Sequence, residues 1–297
     1  MALRDFVLLV LVCLTWSTNN IVSKFVVSHA DVPPLFFAAL RFSIVAVAVS
    51  PWLLPMPRPR LRLIVVALLM GGGNFALMFV ALKTVTPSEV AVISQVGVPI
   101  TALLSVVVLG ERIRWRRGIG IVLTLAGALL VMWSPAGLRL SGGLGLILLA
   151  AALGSLGAVM MKQMEDVRPL QFQAWVGVSS TVVLTPLSIW LEPGQVQAGL
   201  DAGWPFVAAV LFSALVVSVG AHTLFFRLIQ RYEANLISPL TLMTPLATIA
   251  LGVAITHDPF GPRMAIGAAV AIAGVLIIAI RPSRVMPLLL ALRNRAQ

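Results

Sequence analysis

Polar side chains recur at helical spacing inside the first apolar run of this sequence. Asn19 and Asn20 follow Trp16 by three and four residues, which places all three on one face of a helix. A polar group without a partner is costly in an apolar medium, so side chains of this kind mark candidate binding sites. We predict that this face binds a small polar molecule and that the chain has no catalytic residue.

Six other apolar runs carry further candidates. Each could instead have a purely structural role: Ser and Thr often bond back to their own helix, and Asn or Gln can hydrogen-bond one helix to another. Trp175 has the alternative of a packing or lipid-facing ring, and His222 that of a buried, satisfied histidine. The candidates are Asn74 and Met78 in the third run, Ser94 and Gln95 in the fourth, Ser155 in the sixth, Trp175 in the seventh, His222 in the eighth, and Ser238 and Thr241 in the ninth.

Two prolines follow polar candidates by one helical turn. Pro99 follows Gln95, and Pro245 follows Thr241. A proline frees a carbonyl from the helical ladder and kinks the helix, which suits the lining of a cavity. We therefore predict kinks at Pro99 and Pro245.

Three basic residues are expected at one edge of the site. Lys24, Arg41 and Lys83 lie toward the same side of the first half, and Arg41 lies about 10 Å into its span at 1.5 Å per residue. A pocket with this basic edge would favour ligands that carry a carboxylate. The alternative is snorkelling to lipid headgroups, which fits Lys24 and Lys83 better than Arg41.

The composition identifies the medium in which these residues lie. The 297 residues are 60% hydrophobic and 10% charged, with a mean hydropathy of +1.04. A soluble domain of this size has too little interior for so much apolar surface, whereas runs near 20 residues cross a hydrocarbon core of about 30 Å. We predict an all-α membrane protein with ten transmembrane helices, near 5–27, 33–54, 61–82, 87–109, 115–133, 142–163, 169–191, 204–228, 234–255 and 263–280.

The basic residues alternate between the two sides of these spans. Of the 21 Lys and Arg residues, sixteen fall on the side of the N-terminus and five on the other side. Cytoplasmic loops are enriched in Lys and Arg, so both termini are predicted to be cytoplasmic. The formal charge of +11 is spread over short loops rather than one face, which argues against binding to nucleic acid.

The two halves of the chain match each other. Five spans per half is an odd number, so we predict two inverted repeats, 1–138 and 139–297, with a substrate site between them, the mark of a secondary transporter. The matched positions are Pro34 with Pro169, Pro51 with Pro186, Pro99 with Pro245, Gly120 with Gly267, and Gly127 with Gly274.

Acidic residues are missing from the middle of the predicted spans. Glu89 follows Thr86 and Pro87 in the pattern of a capping box, so its predicted role is to cap a helix. Proton coupling through an intramembrane carboxylate would need such a residue. The sequence favours facilitated export, with coupling through His222 or exchange of substrates as the alternatives.

Several stretches resemble the EamA family of the drug/metabolite transporter superfamily. In the first half they are 16–20, 33–35, 40–42 and 109–112, together with the glycine-rich fifth span. In the second half, 231–233 and 239–240 are similar to the amino-acid exporter branch. The chain departs from the family at Thr256, His257 and Asp258, where relatives carry a Gly-Glu-Arg-like turn, and in having Thr-Asn-Asn after Trp16.

The resemblance implies a function as well as a fold. It implies a ten-helix bundle in a bacterial inner membrane, a cavity lined by spans 1, 3, 4, 6, 8 and 9, and export of amino acids or related small metabolites by alternating access. The alternative is an exporter of other metabolites or drugs, with proton coupling. Three scattered histidines and no paired carboxylates argue against an enzyme, a metal site or a cofactor. The expected partners are a small-molecule substrate and the lipid bilayer, and the expected state is a monomer.

Overall fold

The structure, a computed structural model, describes residues 3–109, 115–134, 137–138, 141–161, 164, 167–232, 240–241 and 243–279. Within these residues the regular secondary structure is helical apart from one short antiparallel hairpin, β1 (Trp133–Ser134) and β2 (Gly137–Leu138). The helices are α1 (Leu3–Ser28), α2 (Pro34–Ala48), α3 (Arg60–Ala81), α4 (87–109), α5 (Trp115–Met132), α6 (Gly142–Met161), α7 (Pro169–Leu191), α8 (Gln195–Asp201), α9 (203–231), α10 (Met243–Ile255) and α11 (Pro262–Ala279).

Six of the described helices are long and apolar enough to cross a membrane: α1, α3, α4, α6, α7 and α9. Four shorter apolar helices lie in α2, α5, α10 and α11. The prediction of an all-α protein with helices long and apolar enough to span a membrane is therefore confirmed. The sequence did not predict α8 or the hairpin.

Local sequence signals explain where several helices begin and end. α4 begins at the predicted capping box, in which the Glu89 amide donates to Thr86 Oγ1 (3.2 Å) and the Thr86 amide donates to Glu89 Oε2 (2.9 Å). α2 ends at Ala48, before the predicted end at 54, and a 3₁₀ turn follows at Ser50–Trp52. Pro51 has no amide hydrogen to donate, so it cannot extend the helix.

Two helices contain wide turns of the π type. In α3 the wide turn covers Leu69–Gly73, where Gly71 leaves the helical region with φ −104° and ψ −107°. In α9 it covers Phe212–His222. Wide turns leave backbone groups less constrained than in a regular α-helix and often occur at functional sites. Both segments carry or precede side chains of the central cavity described below.

Glycines allow α5 and α11 to cross closely. A Cβ at Gly127 would lie 2.6 Å from Gly267 O and 2.8 Å from Ala271 Cα. A Cβ at Gly274 would lie 2.7 Å from Gly120 O. The sequence matches Gly120 with Gly267 and Gly127 with Gly274 between the halves. The contact of Gly127 with Gly267 is therefore equivalent to that of Gly274 with Gly120. Small residues of this kind let helix backbones approach in a membrane.

The remaining contacts between the halves come in matching sets. α2 packs against α7, which is its counterpart in the second half. α1 packs against α10, and α4 against α6. α1 also packs against α9, and α3 against α6. When the halves are matched in chain order, the contact of α1 with α10 corresponds to that of α6 with α4, and the contact of α1 with α9 to that of α6 with α3.

Carboxylates of the second half cap two helices of the first half. The amides of Leu35 and Phe36, at the start of α2, donate to Glu192 at 2.9 and 2.8 Å. At the start of α4, Asp258 Oδ2 accepts from the Ser88 amide (2.9 Å) and from the Ser88 hydroxyl (2.5 Å). The residue that departs from the family pattern is thus a helix cap. An anion is stabilised there by free amides and the helix dipole.

The other end of the bundle carries an ion pair between the halves. Asp5, near the start of α1, lies 3.1 Å from Arg231 at the end of α9, and its carboxylate also accepts from the Tyr232 hydroxyl at 2.6 Å. The halves are therefore joined by charged groups at both ends of the bundle.

Candidate functional site

A cavity of about 540 Å³ lies between the two halves. Its walls come from α1, α3 and α4 of the first half and from α6, α9 and α10 of the second, with Thr241 just before α10. The resemblance implied the same six helices as walls. The volume falls within the usual range of small-molecule sites, about 300–1,000 Å³.

Eleven of the fourteen residues named by the sequence line this cavity. They come from six different helices or their ends, so the fold brings together side chains far apart in the chain. Whether they bind substrate remains a prediction. They are Trp16, Asn19, Asn20, Asn74, Met78, Ser94, Gln95, Ser155, His222, Thr241 and Pro245.

The other three residues are not among those placed at the cavity. Trp175 lies on α7, where its indole Nε1 donates to Leu53 O at 3.2 Å and its ring packs against the core. α7 contacts α2 rather than the cavity, which is the physical reason for this correction. Pro99 is buried behind the lining. Ser238 lies outside the described residues.

The two prolines differ in their effect on the helices. α4 narrows to a 3₁₀ turn at Ser94–Val96, just before Pro99, as a proline that interrupts the bonding of the preceding turn would produce. Pro245 is instead the third residue of α10 as described, in the first turn, where a missing amide hydrogen costs little. The described part of α10 therefore has no proline in its interior.

Asparagines of the first half both line the cavity and join it to the second half. Asn20 Nδ2 donates to Thr248 Oγ1 (3.4 Å), and Asn74 Nδ2 donates to Ala150 O (2.7 Å). Asn19 Oδ1 accepts a hydrogen bond from the Ser213 hydroxyl. The alternatives of lining and joining are thus not exclusive. Each amide is held in position by one bond to the second half.

Gln95 and Ser155 also combine lining with a bond to backbone. Gln95 Nε2 donates to Ala91 O of its own helix at 3.3 Å, whereas the Ser155 hydroxyl crosses to Gly97 O at 2.8 Å. Gln95 is therefore the less tightly held of the two. Its Oε1 has no partner among the described residues.

Aromatic rings form another part of the wall. The ring centroid of Trp16 lies 5.3 Å from that of His222 and 4.8 Å from that of Phe225. Phe75 lies 6.1 Å from His222 in an edge-on arrangement. His222 Nδ1 lies 2.8 Å from Val217 O, and a carbonyl can only accept, so Nδ1 carries the hydrogen. In the neutral imidazole Nε2 is then an acceptor.

Several lining residues were not identified from the sequence. Thr244 and Thr248 continue the face of Thr241 at three- and four-residue spacing, so the rule used for the first span would have found them. Phe75 and Phe225 carry no comparable signal, because an aromatic residue in an apolar helix is ordinary. Their position depends on how the helices are rotated in the bundle.

The expected basic edge is not part of the cavity. Lys24 Nζ donates to Leu82 O (2.7 Å) and Val85 O (3.1 Å) at the end of α3, and Lys83 is exposed. Arg41 is fully buried between α2 and α9. None of the described lining residues is Lys or Arg. In the part of the chain that the structure describes, no group of three His, Cys, Asp or Glu side chains is placed to hold a metal ion.

Comparisons with known proteins agree with this arrangement. The model of the EamA-like transporter family matches the chain twice, at 4–133 and at 141–280. A protein of Salmonella typhimurium named "Probable amino-acid metabolite efflux pump" is 26% identical over 289 residues, covering 93% of this chain and 95% of the relative. Its namesake in Escherichia coli is 25% identical over 292 residues, with coverage of 93% and 95%. One solved crystal structure, 21% identical, shares the fold with a TM-score of 0.64 over 93% of this chain and 98% of that one.

Proposed function

The chain belongs to the EamA-like transporter family, and from that premise we propose that it exports amino acids or closely related small metabolites across a bacterial inner membrane. It is a multi-pass membrane transporter, and its family is not one of enzymes. The observation that carries the proposal is the cavity between the halves, lined by amides, hydroxyls and aromatic rings. Relatives that span nearly the same length are named as probable efflux pumps for amino-acid metabolites.

The proposal includes ten spans in two inverted repeats, 1–138 and 139–297, with both termini cytoplasmic. Six long and four shorter apolar helices among the described residues support this number of spans. The matching helix contacts and the glycines at the crossing of α5 and α11 support a two-fold relation between the halves. The excess of Lys and Arg on the side of the N-terminus supports the orientation.

The lining suits a zwitterion with a small side chain or ring. The amide oxygens of Asn20, Asn74 and Gln95 are acceptors with no partner among the described residues, and His222 Nε2 is another acceptor. An ammonium group has three donors and no acceptor, so it fits such a set. The rings of Trp16 and Phe225 offer an apolar surface to the rest of the molecule.

We propose that transport is facilitative, down a concentration gradient. No predicted span carries an Asp or Glu near its middle. His222 is a cavity residue that could exchange a proton, which keeps proton coupling as the second candidate.

Uptake into proteoliposomes tests the proposal. Purified protein is reconstituted and given a panel of labelled amino acids, with and without a pH gradient. The expected result is uptake of several zwitterionic amino acids that persists without the gradient, because no carboxylate carries protons through the site. No uptake of any amino acid would favour an exporter of other metabolites or drugs. Uptake only with the gradient would overturn the facilitative mechanism, and His222→Gln would then test whether the imidazole carries the proton.

A further inference from the structure

Arg41 is a buried cation with incomplete hydrogen bonding. Its side chain is 0% exposed. Nε donates to Ser218 Oγ at 2.9 Å, while Nη1 and Nη2 have no hydrogen-bond partner among the described residues. Between described residues, the ion pair that the structure contains joins Asp5 and Arg231, so no described carboxylate pairs with Arg41. A charge held in this way inside a membrane protein is costly and points to a role in the transport path.

Aromatic rings compensate only part of that cost. The guanidinium carbon lies 4.2 Å from the ring centroid of Phe75, and 5.6 and 5.7 Å from those of Phe42 and Phe79. Each ring face attracts the positive charge, but none of them accepts a hydrogen bond along the guanidinium plane. The four N–H groups of Nη1 and Nη2 therefore still lack an acceptor among the described residues.

Ser218 occupies only the Nε–H of the guanidinium and leaves the N–H groups of Nη1 and Nη2 unoccupied. Its hydroxyl accepts from Nε of Arg41 and donates to Ser213 O at 3.0 Å, so its own hydrogen is engaged. The edge formed by Nη1 and Nη2 stays free. Two parallel N–H groups on that edge match the two oxygens of a carboxylate, which is the strongest pairing that arginine forms.

A small cavity lies between this region and the central one, and Ser218, the partner of Arg41, is one of its walls, although Arg41 itself is not. The volume of this cavity is about 40 Å³. A buried water needs about 10–15 Å³ on this scale, so the space suits a group of a few atoms. Met70, Phe75 and His222 line both the small cavity and the central cavity. These three side chains are therefore the partition between the two spaces.

The three residues of the partition lie in or next to the wide turns of α3 and α9. Met70 lies in the wide turn at Leu69–Gly73, Phe75 is the second residue after that turn, and His222 ends the wide turn of α9. Phe75 both contacts the guanidinium and lines the central cavity. The ring of Phe75 therefore lies between the central cavity and Arg41.

From these contacts we propose that Arg41 is a carboxylate-binding residue of the transport path, reached from the central cavity past Phe75 and His222. The carboxylate pairs with Nη1 and Nη2 of the guanidinium. The inference rests on the proposed function for the source of this carboxylate. It adds the recognition of the acid group, for which the central cavity itself has no Lys or Arg among its described lining residues.

The test uses a minimal carboxylate on the purified, full-length protein in detergent. Thermal stability is titrated with sodium propionate, with propionamide as its neutral isostere, and with sodium chloride. We expect propionate alone to stabilise the protein. Arg41→Met and Arg41→Lys should weaken the apparent propionate affinity about tenfold or more, as expected for the loss of a bidentate charged pair. The control Lys83→Met removes an exposed positive charge and should leave that affinity unchanged.

Each outcome decides between binding and packing. If propionate stabilises Arg41→Met as well as the parent protein, or does not stabilise the parent, the proposal is wrong. Equal stabilisation by chloride would replace a carboxylate site by a general anion site and would also overturn it. Should Arg41→Met fail to fold, Arg41→Lys retains the charge and gives the same readout. Since propionate binding needs no amino-acid transport, a failed transport panel would sink the proposed function and leave this result standing.

Discussion

The crossing of α5 with α11 and the central cavity are both built from the two halves, yet they differ in symmetry. At the crossing, equivalent glycines meet backbone of the opposite half in the same way. At the cavity, the amide side chains among the described lining residues all come from the first half and the imidazole of His222 comes from the second, while both halves supply hydroxyls. The backbone contacts at the crossing are therefore the same in both halves, whereas the side chains that line the cavity differ between the halves. The symmetric region acts as scaffold, and the asymmetric region is where we expect selectivity to arise.

The largest expected effect concerns the symmetric crossing. Gly127→Val and Gly274→Val both place a side chain against backbone atoms of the opposite helix, which cannot move aside. We expect each to destabilise the protein by more than about 2 kcal/mol. Melting of the purified protein in detergent, with yield of the monodisperse peak, measures this.

The matched control for that pair is Gly118→Val on α5, where a new Cβ has no neighbour within 4 Å. It should melt close to the parent protein. A marked difference between Gly127→Val and Gly274→Val would break the proposed two-fold relation of the halves.

At one end of the bundle, two carboxylates of the second half cap helices of the first half. Glu192→Gln and Asp258→Asn should each destabilise the protein by about 1–2 kcal/mol, because the amides they accept lose an anionic partner. The change is read from the melting temperature. Asp201→Asn, at an exposed pair with Gln197 on α8, is the control and should have little effect. If all three variants melt at the same temperature, the two caps do not contribute to holding the halves together.

A smaller effect is expected where an amide of the cavity meets a hydroxyl. Asn20→Ala and Thr248→Val each remove the bond between α1 and α10, so the double variant should be less destabilised than the sum, by about 0.5–1 kcal/mol. Asn20→Ala should in addition lower amino-acid uptake by proteoliposomes. Thr15→Ala, on the exposed side of α1, serves as the control. Additive losses would mean that the pair is not coupled.

The smallest effect on stability is expected at Gln95. Its described hydrogen bond stays within its own helix, so Gln95→Ala should melt within about 0.5 kcal/mol of the parent protein. Uptake should nevertheless fall several-fold, since the side chain lines the cavity. Ser155→Ala is the comparison variant. Because it removes a hydrogen bond between α6 and α4, it should lower the stability more than Gln95→Ala does and the uptake less. Normal uptake by Gln95→Ala would remove that residue from the predicted site.

Much of the helix layout followed from sequence, because lipid requires each spanning segment to satisfy its backbone within itself. The predicted span 169–191 coincides with α7 as observed. The capping box at Thr86 fixed the start of α4. Boundaries differed where proline ended a helix early, as at Pro51, and the apolar pattern gave no sign of the wide turn in α9.

Among the site residues, periodicity and tertiary packing contributed differently. The spacing of Trp16, Asn19 and Asn20 identified one polar face without any knowledge of its neighbours. Trp175 was misplaced because its helix packs on α2, and periodicity does not tell which neighbour a face will meet.

The sequence by itself determined that this chain spans a membrane, which segments are helical and which faces are polar, because composition and helical period act within each segment. Only the tertiary structure decided that Arg41 is buried against Phe75 and Ser218 instead of lying at a basic edge, and that Asp258 caps α4. Those outcomes depend on the rotation of each helix about its own axis, and that rotation is set by packing between residues far apart in the chain.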